Sequence, residues 1–402
     1  MERIWVSISD VLFFQEGPGV RNTQYTTGGV KLLNVANLVD GKVDLTTSDR
    51  YISEEEAYGK YKHFLCDVGD FIIASSGIKV EYIDKKMGFI DETMLPLCMN
   101  TSTIRFKVLD ENQLRIRYFM YYLKSRHFKN QLFKQITGSA QLNYGPSHLK
   151  KMIMPLIPLN KQDEIIACMD KVQSVIEMKQ QELIRLDDLI KARFVEMFGD
   201  VNDNPYRYKL FPIKDVIKKC EAGWSGNGTQ RIKKDDEIAV LKVSAVTKGY
   251  FIPDEYKVLK DQYNIKKMIT PQKGDLIFSR ANTREMVGAT AIIYENYPTL
   301  ILPDKLWRIT FNEYVNVFYM KYILSSKSMR YKFSEASTGT SGSMYNISME
   351  KFMAISIPIA PIKLQNRFAD FVNQVAKSKV AIQKSLEETQ LLFDSLMQKY
   401  FG

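Results

Sequence analysis

An internal repeat constrains this chain of 402 residues more than any other feature. Segments in the middle and at the end of the chain match at a constant offset of 203 residues for nearly fifty positions. The matched pairs are Pro155 and Pro358, Pro158 and Pro361, Gln162 and Gln365, Val172 and Val375, Gln180 and Gln383, Leu183 and Leu386, Leu189 and Leu392, Phe198 and Phe401, and Gly199 and Gly402. Upstream, Thr137-Gly138 matches Thr338-Gly339, and Gly69-Asp70 matches Gly274-Asp275. Each copy has the size of a domain plus a helix, so we expect two similar halves in a pseudo-twofold arrangement, which suits a target with two half-sites.

The composition favours a polyanionic partner inside the cell. The chain has 56 Lys and Arg against 46 Asp and Glu, a formal net charge of +10, without a run of basic residues. Its cysteines, Cys66, Cys98, Cys168 and Cys220, are scattered as is typical of reduced thiols. No apolar signal region opens the sequence, and no stretch reaches the roughly 20 apolar residues of a membrane span. We therefore expect a cytoplasmic protein that has no membrane partner.

Each half combines short strands with helices. Strand-like runs at 30–35 and 69–75 recur at 238–243 and 274–279. Aromatic-rich stretches at 118–125 and 319–326 predict helices, and a polar Thr-Gly loop follows each of them. These patterns predict an α+β fold in both halves.

Each half ends in a long helical stretch. Residues 162–198 contain neither proline nor glycine and could form a helix of about 55 Å, with Asn160 as N-cap and Gly199 as C′ residue. The second stretch has no good N-cap at Lys363, so we expect its beginning to be held differently. Apolar residues of both stretches recur at heptad spacing: Met169, Ile176, Leu183, Ile190, Met197, Phe368, Val375, Ile382, Leu386, Phe393 and Leu396.

This spacing predicts two long antiparallel helices that form a coiled-coil spacer with one globular domain at each end. The alternative is two amphipathic helices that each pack on their own domain.

The search for catalytic residues finds no convincing site. His63, His127 and His148 have no metal-ligand spacing, and Asn204-Pro205-Tyr206 lacks a proline of the adenine-methyltransferase motif. The acids of Pro253-Asp254-Glu255-Tyr256-Lys257 are adjacent, whereas a metal nuclease needs them on separate strands. The glycine-rich segment at 223–228 has no lysine after it and is not a P-loop. We expect a chain without catalytic, cofactor-binding or metal-binding residues.

Polar segments at matched positions of the two halves are the candidate DNA contacts. One pair of segments follows the Gly-Asp strands and the other pair is the two Thr-Gly loops. Arg280, Asn282 and Arg284 have side chains that pair with purine edges in the major groove, and loop hydroxyls and amides suit phosphates. The candidate residues are Ser75, Ser76, Lys79, Thr137, Ser139, Gln141, Asn143 and Tyr144 in the first half, and Ser279, Arg280, Asn282, Thr283, Arg284, Thr338, Thr340, Ser341, Ser343 and Tyr345 in the second. The alternative for each residue is a solvated turn.

The whole chain resembles a specificity (S) subunit of a type I restriction–modification enzyme. The resemblance rests on the two-copy layout, on the Thr-Gly loop that leads to Pro155, Pro158 and Gln162, and on the helix ending at 194–200. It implies target recognition domains at 1–150 and 201–353 and conserved regions with long spacer helices at 151–200 and 354–402.

The resemblance also implies partners. Each target recognition domain would read one half of an asymmetric, bipartite site in double-stranded DNA. Two methyltransferase (M) subunits, which use S-adenosylmethionine to methylate adenine, would dock on the helices. Motor/nuclease (R) subunits that use ATP and Mg would join them, so this chain itself would be no enzyme. Two alternatives remain open: a self-contained DNA-modifying enzyme with unrecognised motifs, and a coiled-coil scaffold that does not bind DNA.

Overall fold

Two packing units divide the chain, and they do not follow the two sequential repeats. The structure, a computed structural model, describes residues 3–136, 143–338 and 344–402. Unit 1 consists of Met1–Gln180 together with Lys384–Gly402, and unit 2 consists of Gln181–Gln383. Both units contain helices and sheets, so the α+β prediction is confirmed.

Unit 1 is built on two sheets. The central sheet of unit 1 is antiparallel, in the order Leu12–Glu16, Thr103–Val108, Phe71–Ala74 and Met87–Phe89. The outer sheet has the order Tyr51–Ile52, Val30–Leu33 and Leu97–Met99, and its last two strands are parallel. Phe71–Ala74 is buried on both faces, as its unbroken run of apolar residues predicts.

Unit 2 repeats this topology, with one additional strand at the edge of its outer sheet. Its central sheet is antiparallel in the order Ile217–Ala222, Leu306–Phe311, Leu276–Ser279 and Thr290–Ile292. Its outer sheet has the order Gly228–Thr229, Tyr256–Leu259, Ala239–Leu241 and Leu300–Ile301, again with a parallel final pair. The structural repeat therefore extends into segments in which the two sequences differ.

Short elements complete each unit. In unit 1 they are the strand pairs Ile4–Ser7 with Ile153–Leu156 and Leu38–Val39 with Lys42–Val43, the helices Ile8–Val11, Glu54–Tyr58, Ile116–Lys124, Arg126–Gln135 and Pro146–Leu149, and the 3₁₀ turns Asn22–Gln24, Val35–Asn37, Lys62–Phe64, Val80–Lys85 and Glu92–Met94. In unit 2 they are the strand pairs Leu210–Pro212 with Ser356–Pro358 and Ala281–Asn282 with Tyr345–Asn346, the helices Ser244–Thr247, Val317–Ser325, Lys327–Ala336 and Met349–Ala354, and the 3₁₀ turn Ile213–Val216.

Two continuous helices of 40 residues each, Leu159–Phe198 and Ile362–Phe401, are the longest elements. Within unit 1, Cys168 lies beside Tyr400, and the Lys179 side chain donates to Ser385. As the residue number increases along the first helix, the number of its partner decreases along the second. The two helices are therefore antiparallel. Within unit 2, Phe194 packs on Phe368 with ring centroids 5.4 Å apart, which continues the same order. The prediction of long antiparallel helices is confirmed.

Both long helices begin in the same way, which corrects two sequence-based predictions. The first starts at Leu159, so Asn160 lies inside it and is not its N-cap. The Pro158 carbonyl accepts from the amides of Lys161 and Gln162, and the Pro361 carbonyl accepts from those of Leu364 and Gln365. A carbonyl can start a helix without a capping side chain, so the lack of one near Lys363 does not change how the second helix begins.

The ends of the long helices also follow the repeat. Gly199 has φ +75°, the left-handed conformation of a C′ glycine, as predicted. Phe198 packs on Tyr319 in the core of unit 2, and Phe401 packs on Tyr118 in the core of unit 1. Among the described residues, no helix is long and apolar enough to span a membrane.

Candidate nucleic-acid interface

One arginine in each unit, buried Arg105 and half-buried Arg308, fixes the framework of the candidate interface. In unit 1, Arg105 lies 3.1 Å from the Asp70 carboxylate and donates to the carbonyls of Leu65 and His63. In unit 2, Arg308 donates to the Thr270 carbonyl and lies 3.8 Å from Asp275. Because the arginine joins the central sheet to the connection that precedes the Gly-Asp turn, it holds that connection in the same place in both units.

The Gly-Asp turns are structural elements. Gly69 and Gly274 have φ of +86° and +90°, which favours glycine. The Asp70 carboxylate accepts from the Asp67 amide at 2.8 Å, and the Asp275 carboxylate accepts from the Gln272 amide at 2.9 Å. Burial raises the pKa of Asp275 above its usual value, although the nearby Arg308 opposes this effect.

In unit 1, the structure brings together the two candidate segments that are far apart in sequence. Ser76 pairs with Asn143 in an isolated antiparallel bridge, and the Tyr144 amide donates to the Ser75 carbonyl at 3.0 Å. The segment after the Gly-Asp strand and the return of the Thr-Gly loop are therefore neighbours, and their side chains belong to one surface.

Unit 2 repeats this arrangement. Ala281 and Asn282 pair with Asn346 and Tyr345, and the Ile347 amide donates to the Arg280 carbonyl at 3.0 Å. Ser75 and Arg280 hold the same position in the two units, because the amide of each donates to the equivalent carbonyl, of Ser102 and Lys305 respectively. The backbone hydrogen bonds are the same in both units, but the side chains at equivalent positions are different.

Three candidate residues are buried, which argues against direct DNA contact. Ser75 and Ser279 are 1% and 0% exposed, because both continue a fully buried strand of the central sheet. Tyr144 is 2% exposed, and its hydroxyl donates to the Ala74 carbonyl at 3.0 Å. Burial raises the pKa of Tyr144 well above its usual value, so it stays a neutral part of the core. The sequence-based assignment of these three side chains to the DNA surface needs this correction.

Other candidates are accessible. In unit 1, Lys79 and Asn143 are exposed and Ser76 is half-buried. In unit 2, Thr283, Arg284 and Thr338 are exposed, whereas Arg280, Asn282 and Tyr345 are half-buried. Thr137, Ser139, Gln141, Thr340, Ser341 and Ser343 lie outside the described residues.

The two candidate arginines of unit 2 are held by nearby groups. Arg280 donates to the Asp304 carbonyl at 2.9 Å and lies 3.3 Å from its carboxylate. Arg284 donates to Ser334 at 3.2 Å, lies 3.5 Å from Glu335, and stands over the Tyr345 ring. Such contacts pre-orient a guanidinium and leave its remaining donors available, which suits recognition of a base edge or phosphate.

Two glycines beside this surface approach neighbouring backbone closely, which no motif in the sequence indicated. Gly17 and Gly223 follow the first strand of each central sheet, and a Cβ there would lie 2.1 Å from the Asn100 oxygen and 1.9 Å from the Leu302 oxygen. Only glycine fits both positions. The glycine-rich segment at 223–228 therefore has a packing role, and comparison with the Gly17-Pro18-Gly19 segment is the sequence signal that could have revealed it.

The seam residues of the long helices lie between the helices or against a core. Met169, Ile176, Ile190, Phe368, Val375 and Phe393 are buried, and Leu183, Met197, Ile382, Leu386 and Leu396 are half-buried. Polar residues interrupt the seam, as in the 2.7 Å ion pair between Lys379 and Asp187 in unit 2. Within the described ranges, no group of three His, Cys, Asp or Glu residues is placed to hold a metal ion.

Comparison with known proteins decides the family. Residues 8–187 and 205–390 each match the family model described as the type I restriction modification DNA specificity domain. The chain belongs to this family. The two matched ranges correspond to the two copies of the repeat, so each copy is one specificity domain.

Relatives and solved structures agree with this membership. The chain is 24% identical to the specificity subunit of type I restriction enzyme EcoEI from Escherichia coli over 262 residues, 62% of this chain and 44% of the relative. It is 22% identical to the EcoKI specificity subunit from Escherichia coli (strain K12) over 299 residues, 70% of this chain and 63% of the relative. The matches therefore span about half the length of these relatives.

Solved structures share the fold of the whole chain. The type I restriction–modification S subunit from M. genitalium has a TM-score of 0.51 at 15% identity, and the comparison covers 100% of this chain and 96% of that chain. A chain from a structural study of assembly and conformational transition in a type I R-M system has a TM-score of 0.53 at 17% identity, with 99% and 97% covered.

Proposed function

We propose that this chain is the DNA specificity subunit of a type I restriction–modification complex and that it reads a bipartite, asymmetric site in double-stranded DNA. The observation that carries the proposal is the equal framework with unequal side chains. Ser75 in unit 1 occupies the position of Arg280 in unit 2, and Ser76 occupies that of Ala281. Ser75 and Ala281 are buried, whereas Arg280 and Ser76 are half-buried, so the two units present different side chains from different positions of the same frame. A shared frame with different side chains suits two readers of different half-sites.

In this proposal each unit contributes one reading surface. In unit 2, Arg284 provides donors for a purine edge in the major groove, and Thr283 provides a hydroxyl for a phosphate or base. The Asn282 amide nitrogen is buried, so this side chain must rotate before it can donate to a base. In unit 1, Ser76, Lys79 and Asn143 take these roles. Smaller, mostly neutral side chains in unit 1 and guanidinium groups in unit 2 imply different half-site sequences.

The long helices are proposed to set the gap between the half-sites and to carry partner subunits. Apolar side chains outside the seam support docking: Met178 is 60% exposed, Ile184 53% and Val195 55% on the first helix, and Val380 is 71% and Leu391 69% exposed on the second. Exposed apolar side chains on long helices are typical of protein interfaces. We assign two methyltransferase subunits with S-adenosylmethionine to these faces. Motor/nuclease subunits, with ATP and Mg, would join that core.

A base-resolution map of N6-methyladenine in cellular DNA tests the proposal. The map is made with the intact chain and with the chain deleted, while expression of the partner genes is verified in both strains. We expect one split motif, with two different halves, to lose methylation on deletion. Reintroduction of the chain should restore the same motif.

The opposite result has a clear meaning. Unchanged methylation in the deletion strain, with the partners expressed, would refute the assignment as specificity subunit. Loss of a symmetric or continuous motif would keep the role in methylation but refute the two unequal readers.

A further inference from the structure

The charge of the chain is distributed very unequally between two units that share one topology. Unit 1 has 25 Lys and Arg against 24 Asp and Glu, whereas unit 2 has 31 against 22. Their formal net charges are +1 and +9, so nearly the whole surplus of +10 belongs to unit 2. Because the fold is the same, the difference comes from the surface residues that each unit presents.

One equivalent connection accounts for most of the difference. It leads from the outer sheet to the Gly-Asp strand, and spans 53–70 in unit 1 and 260–275 in unit 2. The unit 1 connection has two lysines against five acids, and the unit 2 connection has four lysines against two acids. Arg105 and Arg308 hold these two connections to their central sheets, so the connections occupy the same place in the fold.

In unit 1, the connection is acidic for a local reason. Glu54, Glu55 and Glu56 form the first turn of the helix Glu54–Tyr58, where carboxylates stabilise the helix end. Glu56 also accepts from Gln24 at 2.6 Å and thereby faces the loop that follows the first strand of the central sheet. A phosphate that approached this surface would meet negative charge.

In unit 2, the lysine-bearing connection contacts the corresponding loop, once through the backbone and once through a lysine side chain. The Lys260 amide donates to the Asn227 carbonyl at 3.0 Å, and the Lys267 ammonium donates to the Ala222 carbonyl at 2.6 Å. The four lysines, Lys260, Lys266, Lys267 and Lys273, are exposed, and none forms an ion pair with a described residue.

This lysine-bearing connection lies beside the reading surface of unit 2. Ser225, in the loop after the first strand, donates its hydroxyl to the Asp304 carboxylate and accepts from the Asp304 amide, and Asp304 in turn holds Arg280. The loop therefore links the connection to Arg280 and to the segment 281–284. Phosphates that flank bases read by that segment would lie within reach of the lysines.

We infer that the 260–275 connection of unit 2 is the main sequence-independent phosphate-binding surface of this chain, and that unit 1 contributes little of the electrostatic binding energy. The inference rests on the proposed DNA-binding function. When an unpaired, exposed lysine contacts a phosphate, a counterion leaves the DNA. Each such contact makes the slope of log K against log salt steeper by about 0.9. Unit 2 then captures duplex DNA of any sequence, and unit 1 engages by base contacts at close range.

Matched double variants of the full chain test this assignment. Lys260→Gln with Lys266→Gln removes two exposed lysines from the unit 2 connection, and Lys60→Gln with Lys62→Gln removes two from the unit 1 connection. Both double variants lower the net charge of the chain by two. Affinity for a scrambled duplex and for a duplex with the motif from the methylation map is measured over about 50–300 mM KCl.

We expect the unit 2 double variant to lower the slope of log K against log salt by about two, and the unit 1 double variant to leave it unchanged. The preference for the motif over the scrambled duplex should be the same in both. Equal loss of slope in both variants, or no loss in either, would refute the inference. Equal affinity of the wild-type chain for both duplexes would instead count against the proposed function. The comparison of salt slopes would still test the inference, because it does not depend on a preference for the motif.

Discussion

At the scale of single residues, the repeated glutamines show what the sequence repeat preserves. Gln162 accepts from the Arg115 amide at 2.8 Å and donates to the carbonyls of Gln113 and Ile157. Gln365 makes the equivalent three bonds to the Asn316 amide and to the carbonyls of Tyr314 and Ala360. Both side chains are 0% exposed, so each joins the first turn of a long helix to the domain that precedes it.

Removal of Gln162 should weaken unit 1 strongly. Gln162→Ala removes the partner of the buried Ile157 carbonyl and of the part-buried Arg115 amide and Gln113 carbonyl, and we expect a loss of about 2 to 4 kcal/mol in the free energy of unfolding. Gln180→Ala, at an exposed position of the same helix, should change it by less than about 0.5 kcal/mol. Urea denaturation followed by circular dichroism, with amide exchange at Arg115 as local readout, measures both. Equal stability of the two variants would contradict the structural role of the three Gln162 hydrogen bonds.

The repeat predicted these glutamines as important, but local patterns failed at other residues. Asn160 has the side chain of an N-cap, yet the helix starts before it because Pro158 supplies the first carbonyl. Tyr144 follows a polar loop, yet its bond to Ala74 places it in the core. Both errors arise from contacts between residues distant in sequence or from backbone groups, which a residue-type pattern does not contain.

At the scale of elements, the long helices show how far periodicity alone can predict. The heptad pattern predicted the pairing, and residues of that pattern are buried or half-buried. The outer sheets were beyond such reasoning. Val30–Leu33 pairs in parallel with Leu97–Met99, a strand more than sixty residues away, and no alternation in either run specifies its partner.

Two isoleucines on the first long helix separate the seam from the outer surface. Ile190 is 4% exposed in the core of unit 2, whereas Ile184 is 53% exposed. We expect Ile190→Ala to destabilise unit 2 by about 2 to 4 kcal/mol because it removes buried contacts and leaves a cavity, and Ile184→Ala to have an effect below about 0.5 kcal/mol. Thermal denaturation of both variants measures the difference. A cost at Ile184 as large as that at Ile190 would show that the assignment of seam and surface is wrong.

At the scale of the whole molecule, two copies of one fold carry surfaces that have diverged. The shared parts are the central sheets, the arginines Arg105 and Arg308, and the glutamines Gln162 and Gln365, whose places are determined by packing and hydrogen bonds. The divergent parts are the exposed side chains after the Gly-Asp strands and in the connections. From matched residues, the sequence repeat predicted the glutamines and the Gly-Asp strand of each central sheet, but not the two arginines. It could locate the divergent parts only as segments where the match is lost.

Under the proposed function, each unit should determine its own half of the methylated motif. Arg284→Ala in unit 2 should relax one half-site, with a loss of about 1 to 3 kcal/mol in discrimination at one position, since a guanidinium that pairs with a base edge is removed. Lys79→Ala in unit 1 should leave that half-site unchanged. Methylation maps of the two variants distinguish these outcomes. If Arg284→Ala changed both halves of the motif equally, the assignment of one reader to each unit would be wrong.

The membership of Lys384–Gly402 in unit 1 has a consequence for synthesis of the chain. Phe393, Met397 and Phe401 belong to the core that otherwise consists of residues from the N-terminal part. A ribosome that adds about 5 to 20 residues per second leaves unit 1 without this last segment for some tens of seconds, while unit 2 is made in between. Unit 1 thus emerges before unit 2 but is completed after it. During translation its apolar surface is open to chaperones, and a stop codon at position 384 removes part of the core of unit 1 and leaves unit 2 intact.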